Sequence, residues 1–390
     1  MKAVILAAGE GRRLQPLTAV RPKPMVPIAN RPLLEHVITA VADAGIDEIV
    51  LVVGYKRERI QNYFGDGDDW GVDIEYAIQD KQLGTGHAIL QTEPHVDGGF
   101  LVLNGDRIIE PAAVQDVRSH ADDDTVVLSV TRSQEPSRYG VVDLDGNRVT
   151  AITEKPPRHT TTSELINAGV YRFDTDIFDA IRDTETGDDG ELAITTTLNN
   201  LAEDGLVCAQ RYQGLWQDVT HLWDVIGVNA SVLDRADRES RVAPSTRMDP
   251  TATVTDAVAM DRDTVVQPNA TVLRGTAIGE NVRIGPNSVI ANSLVLSDAT
   301  VEAGAVVRDA IVGENAHIGA NTTIAGGVAD VVVDSDLHTD VRLGGVIGDN
   351  TTLEGAVTVD AGTIIGTGVT VETGTTIDGR IPGDAIVRRG

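Results

Sequence analysis

The chain has 390 residues, more than one ordinary hydrophobic core can serve, and this length predicts two domains. Its formal net charge of −27 argues against nucleic acid as a partner, because nucleic-acid binding requires a basic surface. The hydrophobic fraction of 41% suits a soluble globular protein. No apolar run reaches the roughly 20 residues that cross a bilayer, so we expect no membrane partner.

Cysteine and lysine usage predicts the compartment and the environment. Cys208 is the only cysteine, so no intrachain disulfide can form and we expect a reducing, cytoplasmic setting. Lysine occurs only at positions 2, 23, 56, 81 and 155. Acidic, lysine-poor chains resemble proteins of halophilic organisms, such as halophilic archaea, in which salt screens self-repulsion. An ordinary acidic cytosolic protein is the alternative.

The first half of the chain alternates apolar strands with helical patterns. Strands are predicted at Ala3–Leu6, Ile49–Val53 and Phe100–Leu103. Helices are predicted at Leu33–Ala44 and Ala112–His120. This alternation predicts a Rossmann-like α/β domain with a mixed, mostly parallel sheet covered by helices on both faces. Ligands of such sheets gather at the carboxyl ends of the strands.

From about residue 250 the apolar period becomes six, which neither a helix nor an alternating strand produces. This period is typical of hexapeptide repeats, which predict a left-handed parallel β-helix. We expect φ > 0 at the corners, where Gly279, Asn281, Gly285 and Asn287 fall. Residues 325–340 break the period and should loop out. The apolar residues form three runs: Val254, Met260, Val266, Val272, Ile278, Ile284, Ile290 and Leu296; Val306, Val312, Ile318 and Ile324; and Val341, Ile347, Leu353, Val359, Ile365, Val371 and Ile377.

The change of pattern predicts the domain limits. We expect the α/β domain over residues 1–236 and a charged, Pro-containing linker over 237–250. The β-helix should occupy residues 251–390.

Two segments of the first half predict a phosphate site. The first strand runs into a Gly-rich loop, AAGEGRRLQPLT (7–18), whose backbone N–H groups can approach phosphate closely. The loop lacks the third Gly of a dinucleotide fingerprint and the Gly-Lys-Ser/Thr of a P-loop. Downstream, RPKPMVPI (21–28) places Lys23 among prolines that stiffen the segment and fix the direction of the ammonium group.

Together these segments resemble the sugar-1-phosphate nucleotidyltransferase family, whose signature joins a Gly-rich loop ending in Arg-Leu to a downstream Pro-Lys-Pro. The chain is similar to glucose-1-phosphate thymidylyl- and uridylyltransferases and to the two-domain UDP-N-acetylglucosamine pyrophosphorylases. Arg12 departs from the family, which commonly has Thr there. Further marks follow in order: QLGTGHA (82–88), LNGD (103–106), YGVVDLDG (139–146), TEKP (153–156), INAGVY (166–171) and WQDV (216–219).

The resemblance implies transfer of a nucleotidyl group from UTP or dTTP to glucose 1-phosphate or N-acetylglucosamine 1-phosphate, with release of pyrophosphate. Two anionic reactants repel each other, so the site must supply cations and hold both in position. Arg13 can reach the leaving phosphates and Lys23 the α-phosphate, and we expect both to be catalytic. Asp106 and Asp218 are the expected ligands of Mg²⁺.

The resemblance also implies the binding residues. The amide of Gln79 offers a donor and an acceptor to a pyrimidine, and Gly84 leaves room for a flat ring. Lys155 would meet the sugar phosphate. We interpret His87 as structural, because an ionised sugar phosphate needs no general base. The implied nucleotide contacts are Leu6, Ala8, Gly9, Gly11, Gln79, Gly84 and Thr85, and the implied sugar contacts are Gly140, Glu154, Lys155 and Asn167.

Three hypotheses remain for the whole chain. We favour a nucleotidyltransferase whose β-helix serves assembly into a homotrimer. The first alternative is a bifunctional pyrophosphorylase and glucosamine-1-phosphate N-acetyltransferase, whose catalytic His would be replaced here by Ala303. His317, expected at a turn, and His338 are the remaining candidates for that base. The second alternative is a non-catalytic regulatory subunit that binds sugar nucleotides. The presence of all four expected catalytic and metal-binding residues argues against it.

Overall fold

The computed structural model describes residues 1–120, 126–161, 163–187, 190–235 and 241–389, so residues 236–240 of the expected domain end and linker lie outside it. The chain divides into two compact units. The first unit contains Met1–Glu10, Pro22–Met25 and Leu33–Asp218, and the second contains Gly11–Arg21, Val26–Pro32 and Val219–Gly390. Two short N-terminal segments therefore cluster with the C-terminal part of the chain.

The elements that precede the repeats begin with a strand and end with the longest helix of this region. Within the described residues, no helix is long and apolar enough to cross a membrane. In chain order the elements are β1 (Ala3–Ala7), β2 (Pro27–Ile28), β3 (Arg31–Pro32), α1 (Leu33–Asp43), β4 (Glu48–Val53), α2 (Arg57–Phe64), β5 (Asp73–Ile78), α3 (Thr85–Leu90), β6 (Phe100–Asn104), β7 (Arg107–Ile109), α4 (Pro111–Arg118), β8 (Val126–Arg132), β9 (Gly140–Asp145), β10 (Arg148–Glu154), β11 (Leu165–Phe173), α5 (Ile177–Arg182), α6 (Ile194–Glu203), β12 (Val207–Arg211), β13 (Trp216–Asp218) and α7 (Leu222–Arg235).

The first unit is built on a mixed sheet with the described order β5-β4-β1-β6-β11-β8-β12-β10-β9. Strands β5, β4, β1 and β6 run parallel, whereas β9, β10 and β11 add antiparallel pairings. Side chains of β1 alternate between the two faces: Ala3 and Ile5 pack with α1, α2 and α4, and Val4 packs with α3, α5 and α6. The predicted α/β class is confirmed.

The carboxyl edge of this sheet brings two distant motifs together. Strand β6 ends at Asn104, and the chain turns there into the short strand β7. Strand β7 pairs antiparallel with β13, so that Arg107 lies opposite Asp218. Asp106 is therefore next to a residue more than a hundred positions away in the sequence.

The second unit contains three ladders of short parallel strands, the architecture of the predicted left-handed β-helix, whose class is confirmed. Only one strand pair within the described repeats, β28 with β29, is antiparallel and stands outside the ladders. The strands are β14 (Arg247–Met248), β15 (Thr253–Val254), β16 (Val258–Met260), β17 (Val265–Val266), β18 (Thr271–Val272), β19 (Thr276–Ile278), β20 (Arg283–Ile284), β21 (Val289–Ala291), β22 (Leu294–Val295), β23 (Thr300–Val301), β24 (Val306–Arg308), β25 (Ile311–Val312), β26 (His317–Ile318), β27 (Thr323–Ile324), β28 (Val328–Val333), β29 (Asp336–Arg342), β30 (Gly345–Ile347), β31 (Thr352–Leu353), β32 (Thr358–Val359), β33 (Thr363–Ile365), β34 (Thr370–Val371), β35 (Thr376–Ile377), β36 (Arg380–Ile381) and β37 (Ile386–Val387).

The apolar core of the coil differs from the predicted register at three positions. Val295 and Val307 belong to the core cluster, in place of the neighbouring Leu296 and Val306 that a strict period of six selects. Val341, also predicted to face the core, lies in the hairpin strand β29 instead. The coil therefore contains two steps of five residues, from Ile290 to Val295 and from Val307 to Val312.

The corners use two different devices. Asn281 and Asn287 adopt positive φ, at 56° and 57°, as predicted. Gly279 and Gly285 do not need positive φ; an added Cβ on Gly285 would lie 2.6 Å from a backbone carbon of the next coil. These glycines are therefore required by the close approach of stacked coils rather than by the turn.

The segment predicted to leave the coil forms the hairpin of β28 and β29. Strand β27 pairs with β32 beyond it, so the ladder continues across the insertion. His338 lies on β29, where its ring packs 4.7 Å from the ring of His221 and 5.0 Å from that of Trp223. His317, predicted at a turn, lies instead in strand β26.

Candidate active site

Two carboxylates and one guanidinium group form the centre of the first unit's candidate site. Arg107 Nη1 lies 3.0 Å from Asp106 Oδ1 and 3.7 Å from Asp218 Oδ2. Tyr139 donates a hydrogen bond of 2.6 Å to the other oxygen of Asp218. The Arg107 guanidinium also lies over the Trp216 ring, 5.3 Å from its centroid. The strand pair β7–β13 thus holds both acidic side chains around one cation.

Lys23 completes this charge cluster. Its Nζ donates a hydrogen bond of 2.5 Å to Asp106 Oδ2. Burial raises the pKa of the Asp106 carboxyl, but the charges of Arg107 and Lys23 outweigh that effect and lower the pKa to about 2. Asp106 is therefore ionised at neutral pH, as a ligand for a cation must be.

The donor set fits Mg²⁺ that completes its coordination with substrate. Mg²⁺ in nucleotide-using enzymes is held by one or two carboxylates together with phosphate oxygens. Within the described residues, no group of three or more His, Cys, Asp or Glu side chains could hold a metal by itself. Asp106 and Asp218 lie within 4 Å of one atom, Arg107 Nη1, so both carboxylates are close enough together to contribute to one site whose other ligands come from phosphates.

The expected sugar contacts converge beside this centre. Gly140 lies opposite Glu154 in the β9–β10 pair, and a Cβ on Gly140 would lie 3.1 Å from Glu154 Oε2 and 3.7 Å from Asn167 Cβ. Asn167 is held by Tyr171, since its Nδ2 donates to the tyrosine oxygen at 2.9 Å. Burial is the main cause that raises the pKa of Tyr171 to about 12, so this phenol stays neutral. Gly140 is buried, and a side chain at this position would crowd Glu154, so the glycine allows these two polar side chains to approach the strand closely.

Lys155 lies at the end of the same hairpin with an exposed side chain. Its backbone adopts positive φ, at 43°, and its N–H donates to the Tyr139 carbonyl at 3.0 Å. Its Nζ is 3.7 Å from Glu154 Oε1. Tyr139 therefore touches both the expected phosphate lysine, through the backbone, and the expected metal ligand Asp218, through its side chain.

The expected nucleotide contacts of β1 lie at the same carboxyl edge. The Leu6 carbonyl accepts a hydrogen bond of 3.0 Å from the N–H of Gly105, which precedes Asp106. The Ala8 carbonyl accepts a hydrogen bond of 3.0 Å from Gln82 Nε2. Gly9 follows with an exposed backbone, where an added Cβ would meet nothing within 4 Å.

Gln79 and Gly84 have partners within the protein. The buried Gln79 amide donates from Nε2 to the Gly84 carbonyl at 3.1 Å and to His87 Nδ1 at 3.0 Å. A Cβ on Gly84 would lie 2.5 Å from the Leu192 carbonyl oxygen, so the backbone of Leu192 already occupies this side of the glycine. Thr85 Oγ1 accepts from the Ile194 N–H at 3.0 Å. The contact with Gln79 holds the His87 ring within the protein, in agreement with a structural role.

Gly11 and Arg13 belong to the second unit. Gly11 has φ of 71°, and its carbonyl accepts a hydrogen bond of 2.8 Å from Thr18 Oγ1. Arg13 follows in a 3-10 turn, Arg12–Leu14, and its half-exposed guanidinium pairs with Asp334 in the hairpin at 3.5 Å.

Two residues that sequence reasoning missed are central to this geometry. Arg107 bridges the two carboxylates, and its only sequence signal is a basic residue directly after a strand-end aspartate. Tyr139 precedes Gly140 in YGVVDLDG, a motif from which the resemblance predicts a role for the glycine alone. Both residues are brought to the site by strand pairing.

Two different family models match the two halves of the chain. The family model described as Nucleotidyl transferase matches residues 2–235. The model described as GMPPB C-terminal domain matches residues 254–382. A crystal structure of a Bacillus anthracis protein in complex with sucrose superposes with a TM-score of 0.56 at 26% identity, covering 61% of this chain and 97% of that one.

Three curated proteins are similar to this chain over more than half of its length. A protein named Bifunctional protein GlmU, from Methanococcus maripaludis, is 37% identical over 270 residues, which are 69% of this chain and 62% of that protein. Low-salt glycan biosynthesis nucleotidyltransferase Agl11 from Haloferax volcanii is 38% identical over 240 residues, covering 60% and 66%. Glucose-1-phosphate thymidylyltransferase from Streptomyces antibioticus is 36% identical over 247 residues, covering 62% and 68%.

The match thus spans less than two thirds of the length of the GlmU protein. The family model itself covers well over half of this chain and includes every expected site residue. The chain belongs to the nucleotidyl transferase family.

Proposed function

We propose that the protein transfers a nucleotidyl group from UTP or dTTP to a sugar 1-phosphate, either glucose 1-phosphate or N-acetylglucosamine 1-phosphate. The observation that carries this proposal is the cluster of Lys23, Asp106, Arg107 and Asp218 beside the polar side chains of Glu154 and Asn167. The cluster offers cations and metal-binding carboxylates to a triphosphate. Glu154 and Asn167 offer hydrogen-bonding groups to sugar hydroxyls.

The reaction needs positioning and charge more than acid–base chemistry. A phosphate oxygen of the sugar 1-phosphate attacks the α-phosphorus, and the bond from that phosphorus to the bridging oxygen breaks as pyrophosphate leaves with the electron pair. Lys23 supplies positive charge at the α-phosphate, and Arg13 supplies it at the leaving phosphates. Lys155 would hold the attacking phosphate. An ionised phosphate is already a nucleophile, so His87 need not remove a proton.

Asp106 and Asp218 would hold Mg²⁺ in this proposal. When bound, the ion neutralises negative charge that develops on the phosphates and helps to align the reactants. The protein keeps its two carboxylates ready by pairing them with Arg107, Lys23 and Tyr139.

A matrix of substrates tests the proposal. We expect pyrophosphate release only when a nucleoside triphosphate and a sugar 1-phosphate are both present, with UTP or dTTP preferred. Salt should be high, because screening reduces the self-repulsion of a chain with a formal net charge of −27. Pyrophosphate release with triphosphate alone would contradict the proposed reaction, and so would the absence of release with every substrate pair.

The β-helix is proposed to serve assembly into a homotrimer, and we expect no acetyl transfer from acetyl-CoA to glucosamine 1-phosphate. Ala303 cannot accept a proton, and general-base help contributes roughly 10²- to 10⁴-fold. His317 Nε2 pairs with Glu302 at 3.3 Å, and His338 packs against two other rings. Thiol release in the presence of the amino sugar checks this expectation. Strong release that disappears in His338→Ala would instead support the bifunctional alternative.

A further inference from the structure

Arg21 is a buried cation at the end of the Gly11–Arg21 segment. Its side chain is 6% exposed, and Nη2 donates to Glu314 Oε2 at 2.8 Å and to Asp349 Oδ2 at 2.9 Å. Nη1 donates to the Leu17 carbonyl at 3.2 Å. The guanidinium thus joins its own segment to two carboxylates of the β-helix, all within the second unit.

The carboxylate of Asp349, which accepts from Arg21, is held in place by a second hydrogen bond. The Asp349 side chain is 3% exposed, and its Oδ1 accepts a hydrogen bond of 2.7 Å from the backbone N–H of Glu314. Burial, the largest influence, raises the pKa of Asp349 even though Arg21 opposes it. Removing one partner of a buried pair leaves the other charge uncompensated, so the loss of either side is expected to disturb this region strongly.

A second set of contacts holds the segment Val26–Pro32. The Ala29 N–H donates to Asn229 Oδ1 at 2.9 Å, and the buried Asn229 donates from Nδ2 to the Gly275 carbonyl at 2.9 Å. Asn30 Nδ2 donates to the Ile278 carbonyl at 2.7 Å. This segment is therefore pinned to the first turns of the coil by side-chain amides.

Lys23 lies along the chain between these two pinned segments. It follows Arg21 by two residues, and Arg13 lies within the segment that Arg21 terminates. Two residues span at most about 7 Å of extended chain, so the position of Arg21 limits where Lys23 can lie. The prolines on either side of Lys23 stiffen this connection.

We infer that Arg21 is a positioning residue, which uses Glu314 and Asp349 of the β-helix to fix the segment Gly11–Arg21, which carries Arg13 and ends two residues before Lys23. This inference rests on the proposed function. All motifs of the expected site precede residue 220, so the sequence by itself suggests no part for the repeats in catalysis. The β-helix would then support catalysis within each chain, besides any role in assembly.

The test compares Arg21→Gln with Arg262→Gln in the full-length protein. Arg262 is a matched control, because it also pairs with a β-helix carboxylate, Glu280 at 2.8 Å, but lies exposed on the coil surface. The readouts are amide hydrogen exchange of residues 11–25 without substrate, and kcat and KM for the triphosphate below the melting temperature of both variants.

Arg21→Gln is expected to speed exchange in residues 11–25 and to lower kcat/KM about tenfold to a hundredfold, the cost of misplacing catalytic groups by roughly 1 Å. Arg262→Gln should leave both readouts unchanged. A purely structural Arg21 would lower the melting temperature only. Normal exchange together with kcat and KM within about twofold of wild type would overturn the inference.

If Arg21→Gln fails to fold, the same exchange and kinetic measurements can be made on Arg21→Lys and Asp349→Asn, which alter the side chains less. Arg21→Lys keeps the charge but loses the fork that reaches both carboxylates, so it should show the same changes in part. Exchange does not depend on turnover, which separates the two proposals. A wild-type protein with slow exchange in residues 11–25 but no nucleotidyl transfer would refute the proposed function. An active Arg21→Gln variant with unchanged exchange would refute the positioning role of Arg21.

Discussion

Lys23→Ala is expected to lower kcat about 10²- to 10³-fold while the protein stays folded, because removal of one preorganised charge-stabilising group has effects of this size. Lys23 is one of five lysines in the chain, and its Nζ contacts Asp106 at the carboxyl edge of the sheet. The substitution removes a cation that acts in the transition state and leaves the apolar core unchanged. The measurement is initial rate at saturating triphosphate and sugar phosphate.

Lys2→Ala provides the matched control. Lys2 also pairs with a carboxylate, Glu75 at 2.7 Å, but it precedes β1 and so lies at the opposite end of that strand from the site. We expect its kcat to be unchanged. If Lys23→Ala kept kcat within about threefold of wild type, Lys23 could not have the charge-stabilising role we propose.

Asp106→Asn is expected to abolish metal-dependent turnover, and Asp218→Asn should do so nearly as fully. The amide keeps the size of the side chain but loses the charge that binds a divalent cation. Asp106 carries the greater expected effect, because Lys23 and Arg107 both hold its carboxylate in the ionised form. Turnover should be measured across a Mg²⁺ titration.

Direct metal binding gives a second readout for these variants. Mn²⁺ in place of Mg²⁺ can be followed by electron paramagnetic resonance with triphosphate present, independently of turnover. Asp145→Asn, an exposed carboxylate at the other end of β9 from Gly140, should bind Mn²⁺ as the wild type does. Persistent turnover of the wild type in excess EDTA would show that the two aspartates are not metal ligands.

The sequence predicts the fold class well because its two periods are unambiguous, yet it leaves the register of the coil open at two steps. Leu294, Val295 and Leu296 are consecutive apolar residues, so hydrophobicity alone cannot select which one faces inwards. The structure selects Val295 because the corner at Asn292, with φ of 47°, shortens that step to five residues. Asp309, with φ of 48°, accompanies the second short step.

The candidate site is predictable where a motif carries its own chemistry and not where strand pairing creates it. Lys23 and Asp106 are recognisable from their neighbours in sequence. Arg107 and Tyr139 acquire their roles only because β7 pairs with β13, which brings Asp218 to them. Arg21 lies more than 290 residues before Glu314, a distance over which local sequence patterns carry no information.

Product analysis by phosphorus NMR tests the central proposal most directly. The wild-type protein is incubated with Mg²⁺, UTP or dTTP, and one sugar 1-phosphate in high salt. We expect one pyrophosphate for each nucleotide sugar formed, at rates that Lys23→Ala lowers to near background. Nucleoside monophosphate with no sugar attached, or a nucleotide sugar formed equally fast by Lys23→Ala, would contradict the proposal that this site joins the two phosphates.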